Sequence, residues 1–190
     1  VDHNIEHESE SQSRSGLKLQ GLSAWWMNRN DPLTIKNNIN LNSMQLLTAP
    51  NMSGKSTLMR ATLATALLAN CGLLVPCTKA IVPRYDSFFL RATSYDIPAE
   101  GKSAFAIEMD DMSVVLRDST NKSLVMIDEI GRGTSSRDGA CLAGALLETL
   151  DNTGVSGIFS THLHEVLQLP LEVQNLQMKR MGVEFIEDHN

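Results

Sequence analysis

The stretch TAPNMSGKST, residues 48–57, decides the fold of this chain. It follows an apolar run, residues 44–47, that predicts a short buried strand. It leads into residues 58–68, which are rich in Ala, Leu and Met without Pro or Gly and therefore favour a helix. A strand, a tight loop with Gly-Lys-Ser and a helix form the context that a phosphate-binding loop requires. The alternative is a chance Gly-Lys-Ser before a helix, and the flanking strand and helix favour the phosphate site.

The chemistry of such a loop follows from its backbone. Successive N–H groups in the loop and at the helix start point at one spot and favour an anion there. Gly54 lets the backbone approach the phosphates, Lys55 supplies a positive charge, and the Ser56 hydroxyl can ligate Mg²⁺. The usual pattern begins with Gly, whereas this chain has Ala49, which needs a negative φ to avoid strain.

Composition sets bounds on the class of protein. A length of 190 residues fits one α/β domain, with 42% hydrophobic and 20% charged residues. A net charge of −6 argues against this piece gripping a DNA backbone itself, and no apolar run reaches membrane-spanning length. The three cysteines show no C-x-x-C spacing, so we expect reduced thiols in an intracellular protein. The acidic, polar start does not have the pattern of a signal or transit peptide. The chain does not begin with Met, so we expect a fragment, from which a targeting segment could be missing.

Apolar runs alternate with segments of helical spacing, which predicts an α/β fold with a mostly parallel sheet covered by helices. Residues 1–16 are polar without an apolar period, so we expect a disordered lead before one domain over 17–190. Strands are predicted within 17–26, 33–41, 44–47, 85–90, 123–127, 155–159 and 173–178, and helices within 58–68, 103–117, 136–150 and from 161 to Pro170.

Three of these elements carry more detailed expectations. The first strand could be an edge strand. One of Trp25 and Trp26 is expected in the core with the other capping an edge, and base stacking by these rings is the less favoured alternative. Residues 33–41 suit a half-buried antiparallel strand or hairpin. On the helix over 103–117, the spacing of apolar residues puts Glu108 on the polar side.

A second motif, SLVMIDE, ends at Glu129. Asp128 at the strand tip can hold Mg²⁺, and Glu129 can orient or deprotonate an attacking water. His162, in Ser-Thr-His at the end of another strand, can hydrogen-bond a γ-phosphate oxygen. The alternatives are solvated acids at the strand end and a histidine with a structural role. The nearby phosphate loop favours the functional interpretation, because ligands bind at the carboxyl ends of parallel strands.

Four motifs, in this order and spacing, resemble the ATPase domain of MutS-type DNA mismatch-recognition proteins over about residues 33–178. They are APNMSGKST (49–57), GKSAFAIEM (101–109), DEIGRGTSSRDG (128–139) and STH (160–162). SYDIPAEGKS (94–103) and LQGLSAWW (19–26) are most similar to the organellar MutS homologues of plants and algae.

The resemblance implies a P-loop NTPase of ABC-type architecture with an antiparallel N-terminal subsheet, and it implies a role for each matching residue. The cofactors would be ATP and Mg²⁺. Glu129 would activate water, His162 would sense the γ-phosphate, and Ser103 would reach the nucleotide of the opposite subunit. The alternative for Ser103 is an N-cap that satisfies only the N–H groups of its own helix. Asp128 and Ser56 would hold Mg²⁺. The phosphates would be bound by Asn51, Met52, Ser53, Gly54, Lys55, Ser56 and Thr57.

The family also implies partners. Its members work as homo- or heterodimers with two composite ATP sites, and they contact mismatched double-stranded DNA through regions that this chain lacks. The chain ends before the family's C-terminal dimerising helices. No membrane partner is expected. The expected location is intracellular, in a mitochondrion or plastid by resemblance, with the nucleus or a bacterial cytoplasm as alternatives.

Two other functions compete with ATP hydrolysis in mismatch repair. Family loops usually read G-P-N-M-G-G-K-S, and here Ala49 and Ser53 replace two glycines. The second hypothesis is therefore a nucleotide-dependent dimerisation switch with little turnover. A third, an ABC-type transporter ATPase, would carry an L-S-G-G-Q-type signature and a glutamine loop, and the sequence shows neither.

Overall fold

A five-stranded parallel sheet carries the residues of the predicted phosphate site. Its strands are β4 (Met44–Thr48), β6 (Ser87–Arg91), β7 (Ser123–Asp128), β8 (Ser156–Thr161) and β9 (Gln177–Arg180). They lie in the order β6-β7-β8-β4-β9, and every neighbouring pair is parallel. The structure is a computed structural model that describes residues 5–6, 16–28, 31, 34–50, 52–92, 103–131 and 134–182.

A smaller sheet precedes it in the chain. Its strands are β1 (Ile5–Glu6), β2 (Leu17–Leu22), β3 (Asn37–Leu41) and β5 (Lys79–Ile81), in the order β1-β5-β2-β3. The pairs β2–β3 and β2–β5 are antiparallel, and β1–β5 is parallel. The predicted α/β fold with a mostly parallel sheet and an N-terminal antiparallel subsheet is confirmed. The predicted edge position of β2 was wrong, because β5, a strand that the sequence analysis did not find, pairs with its other side.

The helices cover the parallel sheet much as predicted. They are α1 (Lys55–Asn70), α2 (Ala104–Asp118) and α3 (Ser136–Thr153). The predicted helix from 161 begins later, because β8 runs on to Thr161, and it is a short 3-10 helix, His164–Gln168. Within the described ranges, no helix is long and apolar enough to cross a membrane.

Two apolar clusters lie on opposite faces of the parallel sheet. Side chains alternate along a strand, so Leu124 and Met126 of β7 join the cluster with α1 and the small sheet. Val125 and Ile127 join the cluster formed with α2 and α3. Every residue of β7 is buried, as expected for a strand with neighbours on both edges and packing on both faces. This burial fixes the strand whose end carries the acidic pair.

Three local predictions were wrong or stay open. Trp25 and Trp26 both lie beyond β2 and are 64% and 48% exposed. The prediction that one of them packs in the core was therefore wrong. Glu108 is buried rather than on a polar face. Apart from Ile5–Glu6 and Gly16, the predicted disordered lead lies outside the described residues, and it stays a prediction.

Candidate functional site

Three neighbouring strands end at one edge of the parallel sheet and bring together five of the predicted site residues, namely Lys55, Ser56, Asp128, Glu129 and His162. In the register of the sheet, Thr48 of β4 pairs with Thr161 of β8, and Asp128 of β7 pairs with Ser160 of β8. The loop that follows β4 therefore lies beside the residues that follow β7 and β8. This topology explains why positions far apart in sequence come together.

Lys55, Glu129 and His162 form one cluster at this edge. Lys55 is the first residue of α1, and its Nζ lies 2.7 Å from Glu129 Oε1 and 3.0 Å from His162 Nε2. His162 Nε2 also contacts Glu129 Oε1. The Lys55 and Glu129 side chains are 6% and 9% exposed, whereas His162 is 32% exposed. The cluster thus places a buried cation, a carboxylate and an imidazole within hydrogen-bond reach of each other.

Asp128 is held by two hydroxyl groups. Ser56 Oγ donates to Asp128 Oδ2, and Ser160 Oγ donates to Oδ1 at 2.5 Å. Asp128 is 5% exposed, so both carboxylate oxygens lie inside the protein. The sequence analysis paired Ser56 with Asp128, and the structure brings the two together. It gave Ser160 no role, although a serine at the end of the strand next to Asp128 was the signal that could have found this contact.

The loop between β4 and α1 leads into a helix N-terminus that no side chain caps. Gly54 is the residue before α1, with φ 85°. Met52 has φ 61° and a fully exposed side chain. Ala49 and Ser53 avoid the left-handed region, so neither replacement strains the loop.

The remaining predicted loop residues have less distinct surroundings. The Ser53 hydroxyl donates to Met181 Sδ at 3.8 Å, and Thr57 is half-buried in the first turn of α1. Asn51 lies outside the described residues, so its predicted role stays a prediction.

Ser103 is the N-cap of α2. Its Oγ accepts a hydrogen bond from the Ala106 N–H at 3.2 Å, and the residue is exposed. The structure therefore shows Ser103 in the capping role, which is the alternative to the in-trans role. An exposed cap at a helix start remains accessible to a second molecule, and the in-trans role stays a prediction.

Cys71, Cys77 and Cys141 all lie in the described part of the chain, where no disulfide joins any of them. Cys77 is buried, and the other two are exposed. They contribute nothing to the site.

The arrangement around Lys55 can bind an anion and act on it. Uncapped N–H groups of α1 and the Lys55 ammonium supply positive potential at one end of the site. Asp128 and Ser56 supply the oxygen ligands that Mg²⁺ prefers. Glu129 supplies a carboxylate that can accept a proton.

Comparison with known proteins gives the family of this chain. The family described as MutS domain V matches residues 45–190. The chain is 44% identical over 173 residues to the DNA mismatch repair protein MSH1, mitochondrial, of Arabidopsis thaliana, covering 91% of the chain and 16% of that protein. It is 44% identical to the DNA mismatch repair protein MutS of Thermotoga maritima over 138 residues, 73% of the chain and 17% of that protein. The MutS protein of Thermus thermophilus is 44% identical over 134 residues, 70% of the chain and 16% of that protein.

The chain belongs to the MutS family. The family match alone covers most of its length, and the resemblance seen in the four motifs is confirmed at the level of the family. The chain spans about a sixth of the length of these relatives, which are named as DNA mismatch repair proteins.

Proposed function

We propose that this chain is a P-loop ATPase domain that binds Mg-ATP and hydrolyses it in DNA mismatch repair. The observation that carries the proposal is the convergence of Lys55, Glu129 and His162 at the carboxyl ends of three adjacent parallel strands, beside the uncapped start of α1. That edge is where open α/β sheets bind ligands. The relatives' names supply the repair context, and the geometry supports the chemistry.

Each group has a part in this proposal. Lys55 and the α1 N–H groups bind the phosphates, because together they offer a point charge and a row of donors. Glu129 holds the attacking water and accepts its proton, and His162 donates a hydrogen bond to the terminal phosphate. The Lys55–Glu129 contact keeps the carboxylate within reach of that end of the site.

The donor set also fits Mg²⁺. Ser56 Oγ and Asp128 Oδ2 are in direct contact, so one ion can be held by both, and Ser160 fixes the other carboxylate oxygen. Mg²⁺ takes few protein ligands and keeps waters and phosphate oxygens as the rest. When bound, the ion would neutralise charge on the β- and γ-phosphates.

Partners and location are part of the same proposal. A second MutS-type subunit, identical or different, would complete each ATP site, with Ser103 reaching across. Mismatched double-stranded DNA would be contacted through parts of the relatives that lie beyond the span matched here. An organelle is the proposed location, since the match to the mitochondrial Arabidopsis protein covers 91% of the chain against 73% for the Thermotoga maritima protein.

The second hypothesis, a nucleotide-dependent dimerisation switch with little turnover, rests on Ala49 and Ser53 in the loop. The unstrained backbone at both positions removes the physical reason to expect a damaged loop. ATP hydrolysis is therefore the function that the geometry supports best.

The test is the Glu129→Gln variant of the full-length protein. Gln keeps the size of the side chain but cannot accept a proton, so we expect hydrolysis to slow by about 10²- to 10⁴-fold. Mg-ATP binding should remain, because the phosphate-binding groups are intact. Phosphate release and nucleotide binding are measured on the same samples.

Glu165→Gln is the matched control, since Glu165 is an exposed carboxylate on the 3-10 helix outside the cluster. It should leave turnover unchanged. Negligible turnover in the parent protein, with tight nucleotide binding, would favour the dimerisation switch. Loss of binding together with hydrolysis in Glu129→Gln would instead indicate a structural role for Glu129.

A further inference from the structure

A second buried ion pair lies on the side of α2 that faces the sheet. Glu108 is 4% exposed and Arg91, the last residue of β6, is 5% exposed. Arg91 Nη2 donates to Glu108 Oε1 at 3.3 Å. Neither residue belongs to the proposed nucleotide-binding groups described above. Helical spacing alone predicts Glu108 on the polar side of its helix.

The other oxygen of Glu108 reaches the segment that carries the site. The Gly131 N–H donates to Glu108 Oε2 at 3.0 Å. Gly131 follows Glu129 by two residues, so Glu108 links α2 and β6 to the backbone directly after the acidic pair. Both neighbours of the carboxylate are donors, and only a carboxylate offers two acceptor oxygens at this size.

That segment needs external support to keep its conformation. Glu129 has φ 56°, in the left-handed region, which costs a non-glycine residue about 1–2 kcal/mol. Such a conformation persists only where the surroundings over-determine it. Upstream, the Glu129 N–H donates to the Ser160 carbonyl at 3.1 Å. Downstream, Gly131 has φ 85° and packs so closely on Gly139 that an added Cβ would lie 2.7 Å from the Gly139 Cα.

We propose that Glu108 is a positioning residue for hydrolysis, which it serves by holding Gly131 and so fixing the strained Glu129 backbone toward Lys55. This inference rests on the proposed ATPase function. The competing explanation is a purely structural ion pair. The two explanations predict different results when apolar side chains replace both members of the pair. A purely structural pair can often be replaced in this way without loss of stability. The hydrogen bond to the Gly131 N–H, by contrast, is not restored by apolar packing.

The decisive variant is the double replacement Arg91→Met with Glu108→Met in the full-length protein. It removes both charges together, so no uncompensated charge stays buried, and it leaves Gly131 without the Glu108 acceptor. We expect ATP turnover to fall at least about tenfold, because a displaced reacting group can cost about 10²-fold. The dissociation constant for Mg-ADP should change less than about twofold, which separates positioning from unfolding.

The matched control is Asp111→Asn. Asp111 is the other partner of Arg91, at 3.2 Å from its Nε, and its side chain is 46% exposed. This variant alters the same ion-pair network without touching Gly131, and turnover should stay at the parent level. If the double variant does not fold, Glu108→Gln takes its place, since Gln can offer only one acceptor to the two donors.

Two readouts tie the effect to Glu129. In single-turnover assays, adding the double replacement to Glu129→Gln should cause little further loss, because Glu108 acts through Glu129. Hydrogen exchange at the Gly131 amide should quicken in the double variant and not in Asp111→Asn. Full turnover in the folded double variant, an additive loss on Glu129→Gln, or unchanged exchange at Gly131 would each overturn the inference.

The exchange measurement does not need an active enzyme. A parent protein without turnover would refute the proposed ATPase function, and exchange at Gly131 would still decide whether Glu108 anchors this segment.

Discussion

The molecule contains two buried ion pairs of similar exposure, Lys55–Glu129 and Arg91–Glu108, and they have different surroundings. Lys55 and Glu129 share a third partner, His162, which is 32% exposed and lies at the open edge of the sheet. Arg91 and Glu108 lie between β6 and α2, and their other contacts include Asp111, the Ala92 carbonyl and a backbone N–H.

In our proposal, this difference distinguishes the nucleotide site around Lys55 from the Arg91–Glu108 pair that supports it. The groups around Lys55 are side chains that can exchange one partner for another, as the binding of an anion requires. The second oxygen of Glu108 accepts a hydrogen bond from a fixed backbone donor, the Gly131 N–H. Binding another group at this oxygen would break that hydrogen bond. Burial and charge pairing alone therefore do not distinguish the two pairs, whereas the nature of the third partner does.

The largest expected difference in stability between the two pairs is tested by Arg91→Ala and Lys55→Ala. Removing one member of a buried pair costs about 3–5 kcal/mol when the other charge is left without compensation, and we expect this for Arg91→Ala. Lys55→Ala should cost at least about 2 kcal/mol less, because Glu129 keeps His162 as a partner. Urea denaturation gives both values.

Arg117→Ala provides the baseline for that comparison. Arg117 pairs with Asp118 on the surface, with side chains 69% and 45% exposed, and such solvent-exposed pairs contribute little to stability. Equal losses for Arg91→Ala and Lys55→Ala would show that the two pairs do not differ in the way their surroundings suggest.

A smaller loss of stability is expected for Ser103→Ala, at the N-terminal end of α2. Loss of the cap should cost roughly 1 kcal/mol of stability. If Ser103 also acts in trans, turnover per folded molecule should fall while each subunit still binds nucleotide. A cap alone predicts nearly unchanged turnover.

Mixed dimers decide between these readings. In a mixture of Ser103→Ala and Lys55→Ala subunits, one composite site loses both groups and the other keeps both. Activity should therefore reappear on mixing if Ser103 acts across the interface. No recovery, in a mixture shown to form mixed dimers, would rule out that role.

The meeting of Lys55, Ser56, Asp128, Glu129 and His162 could be predicted from sequence because these residues sit in local motifs. The Gly54-Lys55-Ser56 sequence predicts a loop and a helix start after a strand, and Asp128 and Glu129 mark the end of β7. The ends of parallel strands meet at one edge of the sheet. The support could not be predicted in the same way. Arg91 and Glu108 are 17 residues apart, and helical spacing alone put Glu108 in solvent, because periodicity reports apolar residues and not a buried charge with a distant partner.

The same limit explains the smaller sheet. The strand β5 is only three residues long, and its flanking Pro residues and cysteines gave no periodic signal. Trp25 and Trp26 were expected inside a strand, but β2 ends at Leu22, so alternation does not reach them. Their rings instead meet edge to face, with centroids 5.8 Å apart, on the surface.

The central claim is that the groups around Lys55 bind a magnesium nucleotide, and the most direct measurement is the melting temperature of the full-length protein with and without millimolar Mg-ADP. A ligand at about 100 times its dissociation constant stabilises the folded state by about 2.7 kcal/mol, so the parent protein should melt at a clearly higher temperature. Lys55→Ala should abolish most of this shift. Lys122→Ala, an exposed lysine at the other end of β7, should keep it. An unchanged melting curve in the parent protein, or an equal shift in Lys55→Ala, would contradict the account.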